Sequence, residues 1–246
     1  MTNQLKDAIL SAAMAHVPFD GWSEATLRAA IADAGAEPGL ARALFPRGAL
    51  DLALAYHAAG DAQMIQALGG ADLSALRFRE RIAHAVRLRL EAADKEAVRR
   101  GTTFFALPQN AVHGAKAIWG TADAIWTALG DSARDFSWYT KRATLSAVYG
   151  ATVLFWLGDD SPGQENTWAF LDRRIEDVMQ FEKFKSAVAA NPLGKALVDG
   201  PLAWISRMRA PVVPPDMPGS WGKGPFGPGS SEPGPSGTGP SGTGPG

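Results

Sequence analysis

The side chains best suited to acid–base or metal chemistry near neutral pH are four histidines, His16, His57, His84 and His113. They lie far apart, form no HxH or HxxxH pair, and no glutamate has a histidine three residues after it. The ExxH pair of ferritin-like di-iron sites is therefore missing. Cysteine is absent, which excludes thiolate nucleophiles, disulfides, Cys-ligated zinc and iron–sulfur clusters. There is no GxSxG elbow, no Walker A loop and no GxGxxG opening a helix after a strand. Asp159 and Asp160 are adjacent carboxylates before a Ser-Pro helix start, a pattern that reads as a solvated turn with helix-dipole partners. Glu80 and His84 are one helical turn apart, the spacing of surface packing. The expectation is no catalytic residue, no metal and no cofactor.

Other residues are suited to binding rather than reaction. From Ala143 to Leu157 the chain is apolar nearly all round a helix: Leu145, Val148, Val153, Leu154, Phe155, Trp156 and Leu157, interrupted by Tyr149 and Thr152. Such a helix either sits at the centre of a domain or lines an apolar cavity. Small residues upstream, Ala111, Gly114, Ala115 and Ala117, leave room for a ligand tail or permit close helix packing. Trp138 and Tyr139 stand beside Asp135, Lys141 and Arg142. Large aromatics next to charges mark a core edge or an interface anchor. In Leu193–Arg209, Leu193, Leu197, Trp204, Ile205 and Met208 fall, with Val198, within about 140° of one helical face. Lys195, Asp199, Ser206 and Arg207 lie elsewhere. That is the pattern of an interfacial membrane helix, or of a helix packed back on its domain. Gly200-Pro201 interrupts it, and an internal proline costs about 3 kcal/mol and kinks the axis.

Helices must position all of these residues. No apolar–polar alternation bounded by hairpin turns occurs, so strands are not expected. Helices are predicted over 4–16, 24–34, 38–44, 48–68 and 76–99. Between 103 and 129 two are predicted, divided at Gly120 or Thr121. A long helix follows over 135–157, and a last one runs to about 190. Ser23 is a good N-cap, Gly35 a stop, and Ser161-Pro162-Gly163-Gln164 supplies an N-cap, a first-turn proline and a capping glutamine. That last helix carries Trp168, Leu171, Ile175, Val178 and Met179 at helical spacing.

The 246 residues are 46% hydrophobic and carry a formal net charge of -1, enough for a real core and without the strong positive charge of a general nucleic-acid binder. No stretch reaches the ~20 apolar residues that span a bilayer. The start shows neither a signal nor a transit peptide. The expectation is a soluble protein, or one that sits on a membrane without crossing it. Residues 212–246 hold nine prolines and eleven glycines. They are expected to be disordered, because they bury too little apolar surface to offset chain entropy.

The first sixty residues resemble the helix-turn-helix domain of TetR-type regulators. The matching pieces are Ile9-Leu10-Ser11-Ala12-Ala13, Gly21-Trp22, Thr26 and Ile31 to Gly35. The chemistry of DNA reading is largely absent. The candidate recognition helix, Ala36 to Leu44, offers one arginine and one glutamate. Ala41, Ala43 and Arg47 stand where aromatic and lysine residues are common in those regulators. Residues 1–60 hold four basic and six acidic groups, a net charge of -2. Phosphate binding needs the opposite sign.

A sharper resemblance lies downstream. Leu107-Pro-Gln-Asn-Ala-Val-His113, Asp135-Phe-Ser-Trp-Tyr-Thr-Lys-Arg-Ala-Thr-Leu145 and Ser161-Pro-Gly-Gln-Glu-Asn-Thr-Trp-Ala-Phe-Leu171 resemble the ninth of the coenzyme Q (ubiquinone) biosynthesis families, accessory proteins with a TetR-like fold. The resemblance runs over about residues 5–200 and is densest from 105 to 180. It implies a non-enzymatic role: an apolar pocket for an isoprenoid quinone or other lipid, docking on the demethoxyubiquinone hydroxylase, membrane contact through a C-terminal amphipathic helix, and a homodimer.

The expected architecture is all-α and TetR-like: a helix-turn-helix domain over 1–60, a helical lipid-binding domain over 61–190, a membrane-contact segment over 191–211 and a tail over 212–246. Leu145, Val148, Tyr149, Thr152 and Trp156 are the expected lipid contacts. Trp138 and Tyr139 are the expected hydroxylase contacts, and Leu193, Leu197, Trp204, Ile205 and Met208 the membrane contacts. No nucleic acid is expected as a partner. The expected place is peripheral on the bacterial inner membrane, or its matrix-side counterpart in a mitochondrion. The alternative is a TetR-type repressor that senses an apolar ligand. An enzyme acting on an isoprenoid has only the pocket in its favour.

Overall fold

The computed structural model describes residues 2–132 and 136–190, with side chains to residue 180 except that of Phe136. The expected membrane contacts in 191–211 and the expected disordered tail lie outside the described residues, as does Asp135. The described chain is helical, with no strand among the described residues.

Helices α1 (Thr2–Ala13), α2 (Val17–Asp20), α3 (Glu24–Asp33) and α4 (Pro38–Leu44) close around a first core of Ile9, Ala13, Leu27, Ile31 and Phe45. The helix predicted over 4–16 ends at Ala13, and Pro18 sits in the first turn of the short α2, a place a proline tolerates. Ser23 caps α3 as its sequence suggests, its Oγ accepting from Thr26 N at 3.1 Å. Gly35 turns the chain with φ +60° between α3 and α4, a conformation that costs glycine nothing. Gly48 does the same before α5 (Ala49–Gly70), at φ +59°. There the Glu24 carboxylate crosses from α3 and accepts from Ala49 N at 2.8 Å.

Helix α5 passes through residue 60 without a break and serves both halves. Leu52 and Ala53 belong to the first core, while Met64 and Leu68 belong to a second. The second core is built with α6 (Phe78–Glu91), α8 (Pro108–Ala128), α9 (Phe136–Leu157) and α10 (Glu165–Ala190). Between α6 and α8 lies α7 (Lys95–Ala106), which ties the halves together through Trp22 Nε1 donating to Ala97 O at 3.0 Å.

Two further predictions differ from the observed helices. The single helix expected over 76–99 is divided at Ala92–Asp94, because Asp94 accepts from Ala97 N and starts α7. Conversely, α8 runs straight through Gly120 and Thr121. Packing overrides the weak helix propensity there: Thr121 is fully buried and hydrogen-bonded, and Gly120 faces outward.

A polar knot sits between α5, α6 and α8. Arg89, 3% exposed, donates to Asp61 at 2.7 Å and to the His57 carbonyl at 3.0 Å. Thr121 Oγ1 bonds Asp61 at 2.9 Å and His57 Nε2 at 2.8 Å. Gly60 permits this, since a Cβ there would stand 2.6 Å from the guanidinium.

Helix α9 turns Leu145, Val148, Tyr149, Thr152, Val153 and Trp156 into the second core. Its other side is exposed at Ala143, Ala147, Leu154 and Phe155. Its C-terminal end is met by cations from α7: Arg99 donates to Leu157 O at 2.9 Å, and Lys95 to the carbonyl of Asp159, just beyond the helix, at 2.6 Å. Cations suit that end of the helix dipole. Asp159 is not the solvated turn residue expected from sequence. It is buried and accepts from Thr167 Oγ1 at 2.6 Å, Thr167 N at 2.8 Å and Ser161 N at 2.9 Å. The Thr167 hydroxyl is the main reason its carboxyl is held well below the usual range. Asp160 is exposed.

Candidate functional site

A cavity of about 610 Å³ opens between α6, α8, α9 and α10. Helix α6 supplies Phe78 and Ile82, α8 supplies Trp126 and Leu129, and α10 supplies Ile175, Val178 and Met179. Helix α9 supplies Ser137, Thr140, Lys141, Thr144, Leu145 and Val148, one continuous stripe at helical spacing. The loop from α8 to α9 adds Gly130, Asp131 and Ser132. Ile82, Leu145, Val148 and Ile175 are buried and form its apolar end.

The other end is polar and aromatic. Lys141 Nζ bonds Asp131 at 2.6 Å and lies 5.1 Å from the Trp126 ring centroid. Trp126 Nε1 donates to Lys141 O at 3.2 Å, and the Phe78 and Trp126 rings meet at 5.4 Å. Asp131 also accepts from Arg142 at 3.1 Å. Burial raises the Asp131 carboxyl, but the hydrogen bonds and charges of Lys141 and Arg142 outweigh it, so the group is held below its ordinary value.

Of the five residues expected to contact lipid, Leu145 and Val148 line this cavity. Tyr149, Thr152 and Trp156 are buried on the same helix but are not among its lining residues. Thr152 Oγ1 donates to Val148 O at 2.7 Å, and Trp156 Nε1 to Gln164 at 2.7 Å. Burial pushes the Tyr149 phenol up, with Arg89 acting in the opposite direction. The sequence reading missed Phe78, Ile82, Trp126 and Lys141 as lining residues. Ile175, Val178 and Met179 were visible only as one face of a helix.

Trp138 and Tyr139 are half-buried at the start of α9, their rings edge-to-face at 4.9 Å. Trp119 of α8 joins them, 6.0 Å from Trp138. Beneath lies Arg142, 2% exposed, with its guanidinium 4.1 Å from the Trp138 ring and 2.5 Å from Asp123.

In the helix-turn-helix half, Glu37 accepts from the backbone N–H groups of Gly39 and Leu40 at 2.8 and 2.6 Å. Those two bonds hold its carboxyl below the ordinary range. Gly39, Leu40, Arg42 and Ala43 are exposed on α4, and Ala41 is buried in the first core. Among the described residues no cluster of three His, Asp or Glu could hold a metal, and no helix is long and apolar enough to cross a membrane.

Comparison with known proteins adds three findings. A COQ9 family model matches residues 111–182, the segment carrying α8, the aromatic patch and α9. The mitochondrial ubiquinone biosynthesis protein COQ9 of Rattus norvegicus is 32% identical over 209 residues, covering 80% of this chain and 65% of that protein. COQ9-B of Xenopus laevis is 31% identical over 208 residues, covering 80% of this chain and 69% of that protein. The chain thus spans about two thirds of the length of these relatives. Among solved structures, a TetR transcriptional regulator from Nitrosomonas europaea superposes with a TM-score of 0.57 at 20% identity, over 70% of this chain and 97% of that one. The fold is therefore all-α and TetR-like, and with its sequence relatives on both sides of the family segment, this chain belongs to the COQ9 family.

Proposed function

We propose that this protein is a non-enzymatic accessory protein of ubiquinone biosynthesis that binds an isoprenoid quinone intermediate and presents it to the demethoxyubiquinone hydroxylase. The observation that carries the reading is the cavity, apolar at Ile82, Leu145, Val148 and Ile175 and wide enough, at about 610 Å³, for a ring with a short prenyl tail. Its COQ9 relatives are named for ubiquinone biosynthesis, which supports the pathway. Presentation needs a dry cavity and a door rather than a nucleophile, and the residues around this cavity suit that task.

Three further assignments belong to the reading. Trp138 and Tyr139 form the surface that meets the hydroxylase, as half-buried aromatics over a rigid base do in interface hot spots. The 191–211 stretch contacts the membrane, on its sequence pattern alone. Two copies pair, a state supported by the exposed apolar side of α9 at Ala143, Ala147 and Leu154. The place is the inner membrane surface, on the matrix side in a mitochondrion, the compartment in the relatives' names, or the cytoplasmic side in a bacterium.

The test is native mass spectrometry of the purified protein with identification of any bound lipid. A co-purifying isoprenoid quinone or precursor, on a dimer, supports the reading. Empty protein that also fails to take up added quinone overturns it. Pull-down of the hydroxylase by the W138A/Y139A variant tests the docking surface. Loss of binding with unchanged helical circular dichroism is expected, and unchanged binding refutes the assignment. Deletion of 191–211 is expected to abolish co-sedimentation with liposomes.

A further inference from the structure

The cavity has a direction. On α9 its stripe is polar first, at Ser137, Thr140, Lys141 and Thr144, and apolar afterwards, at Leu145 and Val148. The polar part extends roughly 10 Å along the axis. Phe78, Gly130 and Ser132 are exposed beside the polar end, whereas Ile82 and Ile175 are buried at the apolar end. The polar end is therefore the mouth.

The mouth also has a charge balance. Lys141 faces Asp131 there, one cation against one carboxylate. An anionic phosphate headgroup meets no surplus positive charge there. A neutral ring bearing oxygen acceptors fits better. The Lys141 ammonium carries three N–H donors, and its bond to Asp131 engages one of them. Thr144 offers a hydroxyl one turn further in, and the Trp126–Phe78 pair offers apolar ring faces.

Resting on the lipid-binding reading above, we propose that the ligand enters tail first. Its prenyl chain lies along Ile82, Leu145, Val148 and Ile175. Its neutral oxygenated ring stays at the mouth, over Trp126 and Phe78, with a ring oxygen accepting from Lys141. Lys141 is thus the residue that distinguishes a quinone from a bare isoprenoid or a phospholipid.

The experiment is calorimetric titration of the full chain with a dimethoxy-methyl-benzoquinone carrying a short prenyl tail, with farnesol, a prenyl tail without the ring, and with phosphatidic acid. Wild type binds the quinone more tightly. K141M is expected to weaken quinone binding about tenfold, the loss of one charge-assisted hydrogen bond, and to leave farnesol unchanged. T144V, which removes no charge, is expected to act in the same direction and more weakly. Circular dichroism and melting temperature control for folding. Equal effects of K141M on the quinone and farnesol, or none on either, overturn the placement while leaving lipid binding intact. So does tighter binding of phosphatidic acid than of the quinone. Binding of neither the quinone nor farnesol by wild type overturns the lipid-binding reading itself, and this inference with it.

Discussion

The Arg142 guanidinium lies against the Trp138 ring, 4.1 Å from its centroid, and donates to the Trp138 carbonyl at 3.3 Å. The same guanidinium bonds Asp131, the carboxylate that also holds Lys141 at the cavity mouth. One buried carboxylate thus joins the base of the aromatic patch to the mouth of the cavity. R142M removes the cation beneath Trp138 and leaves Asp131 with a single partner. It is expected to cost about 3 kcal/mol of stability, as breaking a buried ion pair does. It should also weaken hydroxylase capture as far as W138A does. Urea denaturation and pull-down measure the two effects separately.

The knot between α5, α6 and α8 gives a second prediction. Asp61 is the carboxylate facing Arg89, and both side chains are largely withdrawn from water. R89M leaves Asp61 without its cation and is expected to destabilise by about 3–5 kcal/mol. The double variant D61L/R89M exchanges both charges for apolar volume. It should recover most of that loss, because a buried pair contributes little beyond its own desolvation. A double variant as unstable as the single one contradicts this account.

His57 makes the same knot sensitive to pH. Burial is the main cause lowering its pKa, Asp61 raises it, Arg89 lowers it further, and the Ala117 carbonyl raises it. The net direction is down, so the unfolded chain takes up the proton more readily than the folded one. Stability from this residue is fully present above about pH 6.5 and is lost as pH falls towards the depressed folded value. Tyr56 and Tyr149, the other titratable groups in electrostatic reach of Arg89, carry raised pKa values and stay neutral in that window. Melting temperatures between pH 7.5 and 5 should therefore fall for wild type and fall less for H57Q. Parallel slopes refute the role of His57.

The helical architecture was legible because it is written locally. Ser23 and Gly35 act within a few residues of themselves, and the structure places helix ends beside them. At Ser161-Pro162 the expected capping fails, because Ser161 makes no cap bond to the short turn at Pro162–Gln164 and the Gln164 side chain accepts from Trp156 Nε1 instead. The break predicted at Gly120 is absent for the opposite reason. What keeps α8 intact is long-range, through Thr121 bonded to His57 and Asp61 some sixty residues away. The cavity was half-legible on the same grounds. Leu145 and Val148 stood out on an apolar helix, but Phe78, Trp126 and Ile175 come from three other helices, and no local pattern joins them. Tyr149 and Trp156 share the apolar helix and are buried outside the lining set, a distinction of helical phase that composition does not carry.

The TetR-like fold raises DNA binding as a question that charge can answer. In that fold α4 lies where a recognition helix would, and a helix N-terminus is where backbone N–H groups receive a phosphate. Here Glu37 already takes the N–H groups of Gly39 and Leu40, and those bonds keep it ionised through the neutral range. A negative charge thus occupies the N–H groups at the start of α4. The exposed side chains that follow, Leu40 and Ala43, have no donors for base edges, and Arg42 is the one cation on α4. Residues 1–60 carry a net charge of -2, so counterion release gives little affinity. The expected outcome is no retardation of duplex DNA even at about 50 mM salt, where electrostatic binding is strongest. E37Q alone should not restore it, because one neutralised carboxylate adds no phosphate contact. A salt-dependent shift of the wild-type protein that disappears in R42A would instead return weight to a repressor that senses its ligand through the same cavity.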